Sequence, residues 1–235
     1  MTFDFAPIGI VHSPFKEKFG VPRQPGIVTA ARATLELLPP YDREEALEGL
    51  SGFSHLWLVF VFHASAGQGW RPTVRPPRLG GNARVGVFAS RSTFRPNPIG
   101  LSVVELVGYG REDGRLVLHV QGADLIDGTP VLDIKPYVPY ADSIPRARGG
   151  FAGDAPEARL SVLFTPEAEA QLVAREVRYP QLRELITQVL AADPRPAYRE
   201  DDAGERTYGM RLLDFDLRWR VEDDTARVTG LIDSA

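Results

Sequence analysis

The residues best suited to chemistry stand together in the stretch from Arg91 to Ser102, RSTFRPNPIGLS. This stretch carries guanidinium groups on Arg91 and Arg95 and an amide on Asn97. Its two prolines fix φ, so a turn built from it is stiff and can hold these polar groups at fixed positions. Rigidity combined with polar side chains predicts a binding site.

The charge pattern around this stretch indicates an anionic partner. No Asp or Glu lies between Glu48 and Glu105, although the whole chain has a net charge of −4. The arginines of this acid-free segment are Arg71, Arg75, Arg78, Arg84, Arg91 and Arg95. Arginine pairs with phosphate or carboxylate and stacks on bases, so the segment favours a basic surface that binds RNA. The alternative is that Asp and Glu from elsewhere in the fold pair with these arginines.

Two long loops rich in proline and glycine add polar groups. The loop from Pro14 to Gly26 places two lysines and Arg23 beside Gln24, a set suited to phosphate or to the edge of a heterocycle. A loop of this length usually has a function, but a solvated crossover is the alternative. The loop from Gly67 to Asn82 carries Trp70 among arginines. That combination suits a surface on which bases stack and phosphates bind.

Apolar periodicity predicts the elements that position these groups. Strands are expected at Phe5–His12, Thr34–Leu38, His55–His63 and Arg115–Gln121, and in a short run ending at Pro136. Two more are expected on either side of the turn that contains Arg91, Arg95 and Asn97, which we call the central turn. The strand before it contains Val85, Val87 and Ala89, and the strand after it contains Ile99, Leu101 and Val103. The run from His55 to His63 is nearly all apolar and predicts a strand buried on both faces. A short helix is expected at Tyr41–Leu50, with Asp42 as its N-cap.

A run of small and polar residues from Ala141 to Ala155 predicts a linker to a second unit. This unit is expected to contain a strand at Arg159–Phe164, helices beginning near Pro166 and Pro180, one long strand at Tyr208–Val221 and an antiparallel return at Val228–Ile232. The chain therefore divides into residues 1–145 and 155–235, and its class is mainly β (α+β).

Composition narrows the possible classes of protein. The chain has no cysteine and four scattered histidines without metal-binding spacing, so we expect neither disulfides nor a metal site. The N-terminus lacks the basic start and apolar run of a signal peptide, and no segment reaches the roughly 20 apolar residues of a membrane span. A cytoplasmic protein without a membrane partner is expected.

Six motifs resemble those of the TrmO family, the TsaA-like tRNA methyltransferases. They are PRQPG at 22–26, FSHLWLVFVFH at 53–63, GQGWRPTVRPPRLGGN at 67–82, RSTFRPNPIGLS at 91–102, DGTPVLDIKPY at 127–137 and DPRPAYR at 193–199. The match covers nearly the whole chain, including a C-terminal unit that shorter relatives lack. Departures from the family's pattern fall in loops, at 64–67 and 146–153.

The resemblance implies a fold, a cofactor and a reaction. The expected fold is a single-sheet β-barrel in a TsaA-like cofactor-binding domain, followed by a small α/β C-terminal domain that recognises tRNA. The expected reaction transfers a methyl group from S-adenosylmethionine to N6 of threonylcarbamoyladenosine in the tRNA anticodon loop (t6A to m6t6A), carried out by a homodimer. The chain lacks a G-x-G-x-x-G turn followed by a distant acid, so the usual nucleotide-binding motif does not reveal this cofactor.

Matching motifs also assign residues to the cofactor. These residues are Gln24, Pro25, Gly26, His63, Arg91, Leu101, Asp127, Gly128, Thr129 and Pro130. A role in the core is the alternative for Leu101 and His63. Between Asp127 and Pro130 we expect backbone groups, rather than side chains, to contact the ligand.

The basic segment and the last motif supply the expected substrate side. Its members are Arg71, Arg75, Arg95, Asn97, Arg195, Pro196 and Arg199. Methyl transfer needs in-line geometry and loss of the N6 proton, and we expect Asp193 or Tyr198 to act as the base. Two other functions remain open: a non-catalytic RNA-binding regulator that senses S-adenosylmethionine, and a methyltransferase for a small molecule.

Replacing Arg71 or Arg75 with alanine is expected to weaken tRNA binding and to flatten its dependence on salt. When one phosphate contact is lost, tRNA binding releases fewer counterions. The slope of log affinity against log salt concentration should therefore become shallower by about one unit. Fluorescence anisotropy across a salt series measures the slope, and calorimetry should show unchanged cofactor affinity. Unaltered salt slopes would count against a basic RNA-binding surface.

Overall fold

A computed structural model describes residues 2–154, 157–195 and 206–234 of the chain. Its first part is built from eight strands: β1 (Gly9–His12), β2 (Arg32–Leu37), β3 (His55–Val61), β4 (Thr73–Val74), β5 (Val85–Gly86), β6 (Ile99–Glu112), β7 (Arg115–Gln121) and β8 (Thr129–Pro136). Two one-turn helices accompany them, α1 (His63–Ala66) and α2 (Pro139–Asp142). Strands β4 and β5 pair only with each other and form a small ribbon.

The other six strands form one sheet that closes on itself. The strand order is β1-β2-β7-β6-β3-β8, and β8 pairs back with β1 through Gly9 and Val131. Alternate residues point inward, which gives a core containing the fully buried side chains Leu35, Leu56, Leu58, Leu118 and Val131. Because side chains fill the interior, a ligand of this part of the chain must bind at the loops.

The C-terminal part is a four-stranded sheet with two helices. Its elements are β9 (Ser161–Phe164), α3 (Pro166–Glu176), α4 (Leu182–Ala191), β10 (Tyr208–Leu212), β11 (Phe215–Glu222) and β12 (Thr225–Asp233), with the strand order β10-β11-β12-β9. Strand β9 runs parallel to β12, and α3 and α4 form the connection after β9. Thr165 caps α3 as expected, because its Oγ1 accepts a hydrogen bond from the Ala168 amide at 3.2 Å.

The loop between β1 and β2, residues 13–31, joins the two parts. Phe15 is only 1% exposed and packs in the C-terminal core, together with Val28 and the alanines before β2. The Pro14 carbonyl accepts a hydrogen bond from the Leu213 amide at 2.7 Å. At the other end of the loop, Gln188 Oε1 accepts from the Ala30 amide at 3.0 Å. This first loop therefore belongs to the core of the C-terminal part, although both its ends continue into the closed sheet.

Two expected elements of the first part are shorter than predicted. The first strand begins at Gly9 rather than at Phe5, whose side chain is 68% exposed. The strand before the central turn is only β5, and Val87–Ala89 form a 3₁₀ turn instead. A two-residue ribbon ends before the alternation of apolar residues does, so the periodicity overestimates its length.

Two further expectations near β3 are wrong. Residues 41–50 form 3₁₀ turns rather than an α-helix, and Asp42 is not a cap, because the first turn begins after Arg43 without a side-chain cap. Strand β3 ends at Val61, and its residues alternate between buried and half-buried positions instead of being buried on both faces. One face of β3 lines the core, and the other is covered only in part.

The long strand predicted at Tyr208–Val221 is a hairpin. Strands β10 and β11 pair antiparallel around a turn at Leu213 and Asp214, and Leu213 has a φ of +55°. Buried positions are even-numbered before this turn and odd-numbered after it. Since neighbours along one strand alternate between faces, this change of parity is the sequence signal of the turn.

Replacing Phe15 with alanine is expected to lower the free energy of unfolding by about 3–5 kcal/mol, because it leaves a cavity where a buried ring stood. Phe3 is 70% exposed, and Phe3→Ala is the matched control. Its effect should stay within about 0.5 kcal/mol. Urea unfolding followed by tryptophan fluorescence measures both. Equal effects of the two substitutions would show that the first loop does not stabilise the C-terminal core.

Candidate functional site

A cavity of about 570 Å³ lies where four segments meet. The first loop contributes Lys18 to Pro25, and the end of β3 with α1 contributes Trp57 to Ser65. The central turn contributes Ser90, Arg91 and residues 93–95, and the start of β6 contributes residues 99–102. Residues 124–126 before β8 and Thr129 at its start complete the lining. The stiff central turn therefore forms one wall of a concave site, as its composition predicts.

Arg91 connects the central turn to the first loop across this cavity. Its Nη1 donates a hydrogen bond to Gln24 Oε1 at 2.5 Å, and its side chain remains exposed. A guanidinium has five N–H donors, so this contact leaves others for a ligand. Gln24 and Arg91, which are 67 residues apart in sequence, thus present their polar groups together.

Arg95 mainly holds the central turn in shape. Its Nη1 donates to the backbone carbonyls of Ser90 at 2.7 Å and Val87 at 3.3 Å, while its guanidinium lies 5.8 Å from the centre of the Phe88 ring. These contacts close the turn on itself. Arg95 still lines the cavity, so its remaining donors can face a ligand.

Asp124 and Ser102 form a hydrogen-bonded pair in the cavity wall. Ser102 is 2% exposed, and its Oγ donates to Asp124 Oδ1 at 2.6 Å. Burial raises the pKa of Asp124 to about 6, while the hydrogen bond from Ser102 and the charge of Arg91 act in the opposite direction. The sequence motifs do not single out this pair. The signal in the sequence was an acid, Asp124, placed between the apolar residues Ala123 and Leu125.

Hydrogen bonds at Ser13 fasten the first loop to the segment before β8. The Ser13 amide donates to Asp127 Oδ1 at 2.9 Å, and its Oγ donates to the Leu125 carbonyl at 2.6 Å. In return, the Asp127 amide donates to the Phe15 carbonyl at 2.8 Å. Lys16 Nζ lies 2.8 Å from Asp127 Oδ2. The Asp127 carboxylate is thus engaged within the protein, which leaves backbone groups of this segment to meet a ligand.

The structure brings together most of the residues expected at the cofactor. Those that line the cavity are Gln24, Pro25, His63, Arg91, Leu101 and Thr129. Leu101 is 52% exposed and His63 is also exposed, so neither has the alternative role in the core. The others, Gly26, Asp127, Gly128 and Pro130, flank the lining without belonging to it. Gly26 lies beside the wall, since its amide donates to the Gly122 carbonyl at 2.9 Å.

The arginines of the acid-free segment differ in their relation to the cavity, which only Arg91 and Arg95 line. Arg71 and Arg75 are exposed, as is Asn97, and none of the three lines the cavity. The Arg71 guanidinium lies 4.2 Å from the centre of the Phe94 ring. Within the described ranges, none of the six arginines forms an ion pair with an Asp or Glu side chain. Acids elsewhere in the described ranges therefore do not form ion pairs with these arginines, although the charge of Arg91 acts on the Asp124 carboxyl group.

The expected substrate residues of the C-terminal part are separated from this cavity. Asp193 and Arg195 are both buried, and Arg195 donates to the two carboxylate oxygens of Asp193 at 2.8 and 2.9 Å. Neither residue lines the cavity. The Arg195 carbonyl accepts a hydrogen bond from Arg23 at 3.2 Å, which ties it to the first loop. The expected site residues Pro196, Tyr198 and Arg199 lie outside the described residues.

The described ranges lack the features of two other kinds of protein, one that binds a metal ion and one that crosses a membrane with a helix. No group of three or more His, Cys, Asp or Glu side chains is placed to hold a metal ion there. None of the helices described is long and apolar enough to cross a membrane.

Comparisons with known proteins agree with the motifs. Residues 10–143 match the family model for the N-terminal domain of tRNA-methyltransferase O, and residues 157–234 match the TrmO C-terminal domain. The chain is 56% identical over 230 residues to the tRNA (adenine(37)-N6)-methyltransferase of Escherichia coli K12, covering 98% of each chain. It is 55% identical over 220 residues, 93% of each chain, to a putative S-adenosylmethionine-dependent methyltransferase, RcsF, of Pseudomonas aeruginosa.

The fold of this chain also matches that of a solved structure. A crystal structure of TrmO from Pseudomonas aeruginosa superposes with a TM-score of 0.81 at 46% identity, covering 98% of both chains. This match confirms the mainly β class with a few helices. Two family models that together span most of the chain, and relatives of full length, show that the chain belongs to the tRNA-methyltransferase O (TrmO) family.

Proposed function

We propose that this protein methylates N6 of threonylcarbamoyladenosine beside the tRNA anticodon, converting t6A to m6t6A. The protein is an S-adenosylmethionine-dependent tRNA (adenine-N6)-methyltransferase, as its relatives' names state for them. The observation that supports the finer assignment is a cavity with Arg91 and Gln24 in its wall, bordered by exposed arginines without acidic partners among the described residues. A cytoplasmic location goes with a tRNA substrate.

The residues of the cavity fit the cofactor. A volume of about 570 Å³ lies within the range of small-molecule sites. Arg91 suits the cofactor's carboxylate, and exposed Leu101 offers an apolar surface for its adenosine. Gln24 and His63 supply further polar groups at the same wall. When bound, S-adenosylmethionine supplies the electrophilic methyl group of its sulfonium.

The chain's own residues have two tasks in the transfer. The first is positioning, because nitrogen, methyl carbon and sulfur must lie in line. The contact between Arg91 and Gln24 fixes the first loop against the central turn, and Arg95 keeps that turn closed. The second task is to accept a proton. The N6 nitrogen of the substrate is flanked by a carbonyl group, so its lone pair is delocalised until the proton leaves.

The threonyl carboxylate and the phosphates of the anticodon loop give the exposed arginines their role. Arg71 and Arg75 are exposed and form no ion pair in the described part of the chain, and Arg71 lies against Phe94 of the cavity wall. Stacking on Phe94 orients the Arg71 guanidinium. We assign residues 1–145 to cofactor binding and 155–235 to tRNA recognition. A contact of Arg195 or Asp193 with RNA remains part of this proposal, although both are buried here.

We also expect a homodimer. Ile99 and Leu101 are exposed in the cavity lining, and Phe88 and the nearly fully exposed Tyr140 are further exposed apolar side chains of the same part of the chain. Exposed apolar groups of this kind favour an interface, and a second copy would cover them. Sedimentation at micromolar concentration tests this expectation. A fully active monomer would contradict it.

Mass spectrometry of tRNA nucleosides tests the proposed function. The purified protein, given S-adenosylmethionine, should convert t6A to m6t6A in a tRNA that carries t6A. The same tRNA with unmodified adenosine at that position is the matched control and should remain unmethylated. A regulator would leave both tRNAs unchanged. Equal methylation of both would mean that the threonylcarbamoyl group is not recognised.

Replacing Arg91 with lysine is expected to reduce methyl transfer by about 10-fold or more. Lysine keeps the charge but loses the planar fork, and one charge-assisted hydrogen bond contributes roughly 1.5–3 kcal/mol. Arg115→Lys changes an exposed arginine on β7, outside the cavity, and is the matched control. Steady-state rates and cofactor affinity measure both variants. Normal turnover in a folded Arg91→Lys protein would make Arg91 structural.

A further inference from the structure

One acidic side chain stands among the cationic groups of the cavity. Among the described residues that line the cavity, Asp124 is the only Asp or Glu. The other charged or titratable groups there are Lys18 and Arg23 of the first loop, His63 of α1, and Arg91 and Arg95 of the central turn. A single carboxylate placed in a pocket of opposite charge has a perturbed titration, which is typical of functional groups.

Asp124 is held by one side chain and by its own backbone amide. Ser102 Oγ donates to Oδ1 at 2.6 Å, and Ser102 is itself fixed within β6 at 2% exposure. No other side chain of the described residues hydrogen-bonds this carboxyl group. Burial makes the ionised form costly, so the carboxylate gains by taking up a proton. Such a group is suited to general-base chemistry near neutral pH.

We propose that Asp124 is the general base for the methyl transfer and that Ser102 is its positioning residue. This inference rests on the proposed function. As the bond between N6 and the methyl carbon forms, the N6 proton passes to Asp124 Oδ2 and its bonding electron pair stays on nitrogen. The carbon–sulfur bond that breaks leaves its electron pair on sulfur. Neutral Asp124 then returns the proton to water.

The other candidate bases are less suited. Both oxygens of Asp193 already accept hydrogen bonds from Arg195, and the pair is buried outside the cavity. His63 lines the cavity, but its side chain is exposed at the start of α1, and no side chain among the described residues is hydrogen-bonded to its ring. Among the described residues, Asp124 alone combines an acidic group in the cavity wall with an orientation fixed by a hydrogen bond. Tyr198, the other base expected from the sequence, lies outside the described residues.

The first test measures the titration of Asp124 without any reaction. In protein labelled with carbon-13 at aspartate carboxyl groups, one resonance should titrate with a midpoint near the pKa of about 6. It should be absent from Asp124→Asn. In Ser102→Ala the midpoint should move to higher pH, because the lost hydrogen bond favoured the ionised form. A midpoint near the ordinary aspartate value of about 4 would overturn the proposal, since it would mean a well-solvated carboxylate.

The second test follows single-turnover methyl transfer to a t6A-containing tRNA with saturating cofactor. We expect Asp124→Asn to slow transfer by about 100-fold or more, the usual contribution of a general base. Its affinities for cofactor and tRNA should stay within about threefold of the wild type, about 0.7 kcal/mol. The wild-type rate should rise with pH through the midpoint seen by NMR. In Ser102→Ala this rise should occur at higher pH, with the rate recovering above it.

Asp133→Asn is the control, because it alters an acid of β8 that lies outside the cavity. Its rate and pH profile should match those of the wild type. Near-normal transfer by Asp124→Asn would overturn the base assignment alone. A large loss of cofactor affinity with a normal rate at saturation would also overturn it, since the carboxylate would then bind the cofactor. If the wild type itself does not methylate this tRNA, the proposed function fails, and the base role with it.

Discussion

The site depends on the hydrogen bonds that tie Ser13 to the segment before β8. Through the Ser13 amide and hydroxyl, and through the Asp127 amide, the first loop is held against Asp127 and Leu125 at distances of 2.6–2.9 Å. The first loop and the segment before β8 both contribute residues to the cavity wall. Neither is part of a strand at the point where they contact each other. Together with the Gly26 amide, which donates to the Gly122 carbonyl, these contacts hold the loop that carries Gln24 opposite Arg91. Three hydrogen bonds at Ser13 and Asp127 thus replace the regular structure that usually positions a ligand site.

Electrostatics explains why the cavity wall is polar while the interior of the closed sheet is apolar. The closed sheet fills its own interior with apolar side chains, so polar groups are found at its loops. There, cationic side chains of the first loop and the central turn surround one carboxylate that is partly removed from water. Keeping Asp124 in this place costs stability at neutral pH, because folding raises its pKa. A cost of this kind is common where structure serves chemistry.

Sequence reasoning reached some parts of this arrangement and missed others for physical reasons. The proline-stiffened turn with Arg91 and the loop with Gln24 could be predicted, because their composition dictates local conformation. Asp124 could not, since its partner Ser102 lies 22 residues away, and the two meet only where the β6–β7 hairpin opens, far from its turn. Likewise, the pairing of Asp193 with Arg195 depends on how the first loop packs there. The hairpin after Tyr208 is marked by a shift of the buried positions from even-numbered to odd-numbered residues. This shift is missed when the whole segment is taken as one alternating strand.

The first loop also sets the order in which the molecule can be completed during synthesis. The closed sheet needs nothing beyond Pro136, but Phe15 and Val28 find their core partners only in strands that end at Asp233. At ribosomal elongation rates, the intervening chain takes roughly 5–20 s to appear, and the loop's apolar side chains stay uncovered meanwhile. None of the described residues after Thr129 lines the cavity. A nascent chain that ends there therefore contains every described lining residue, while the apolar core that buries Phe15 is still to be made.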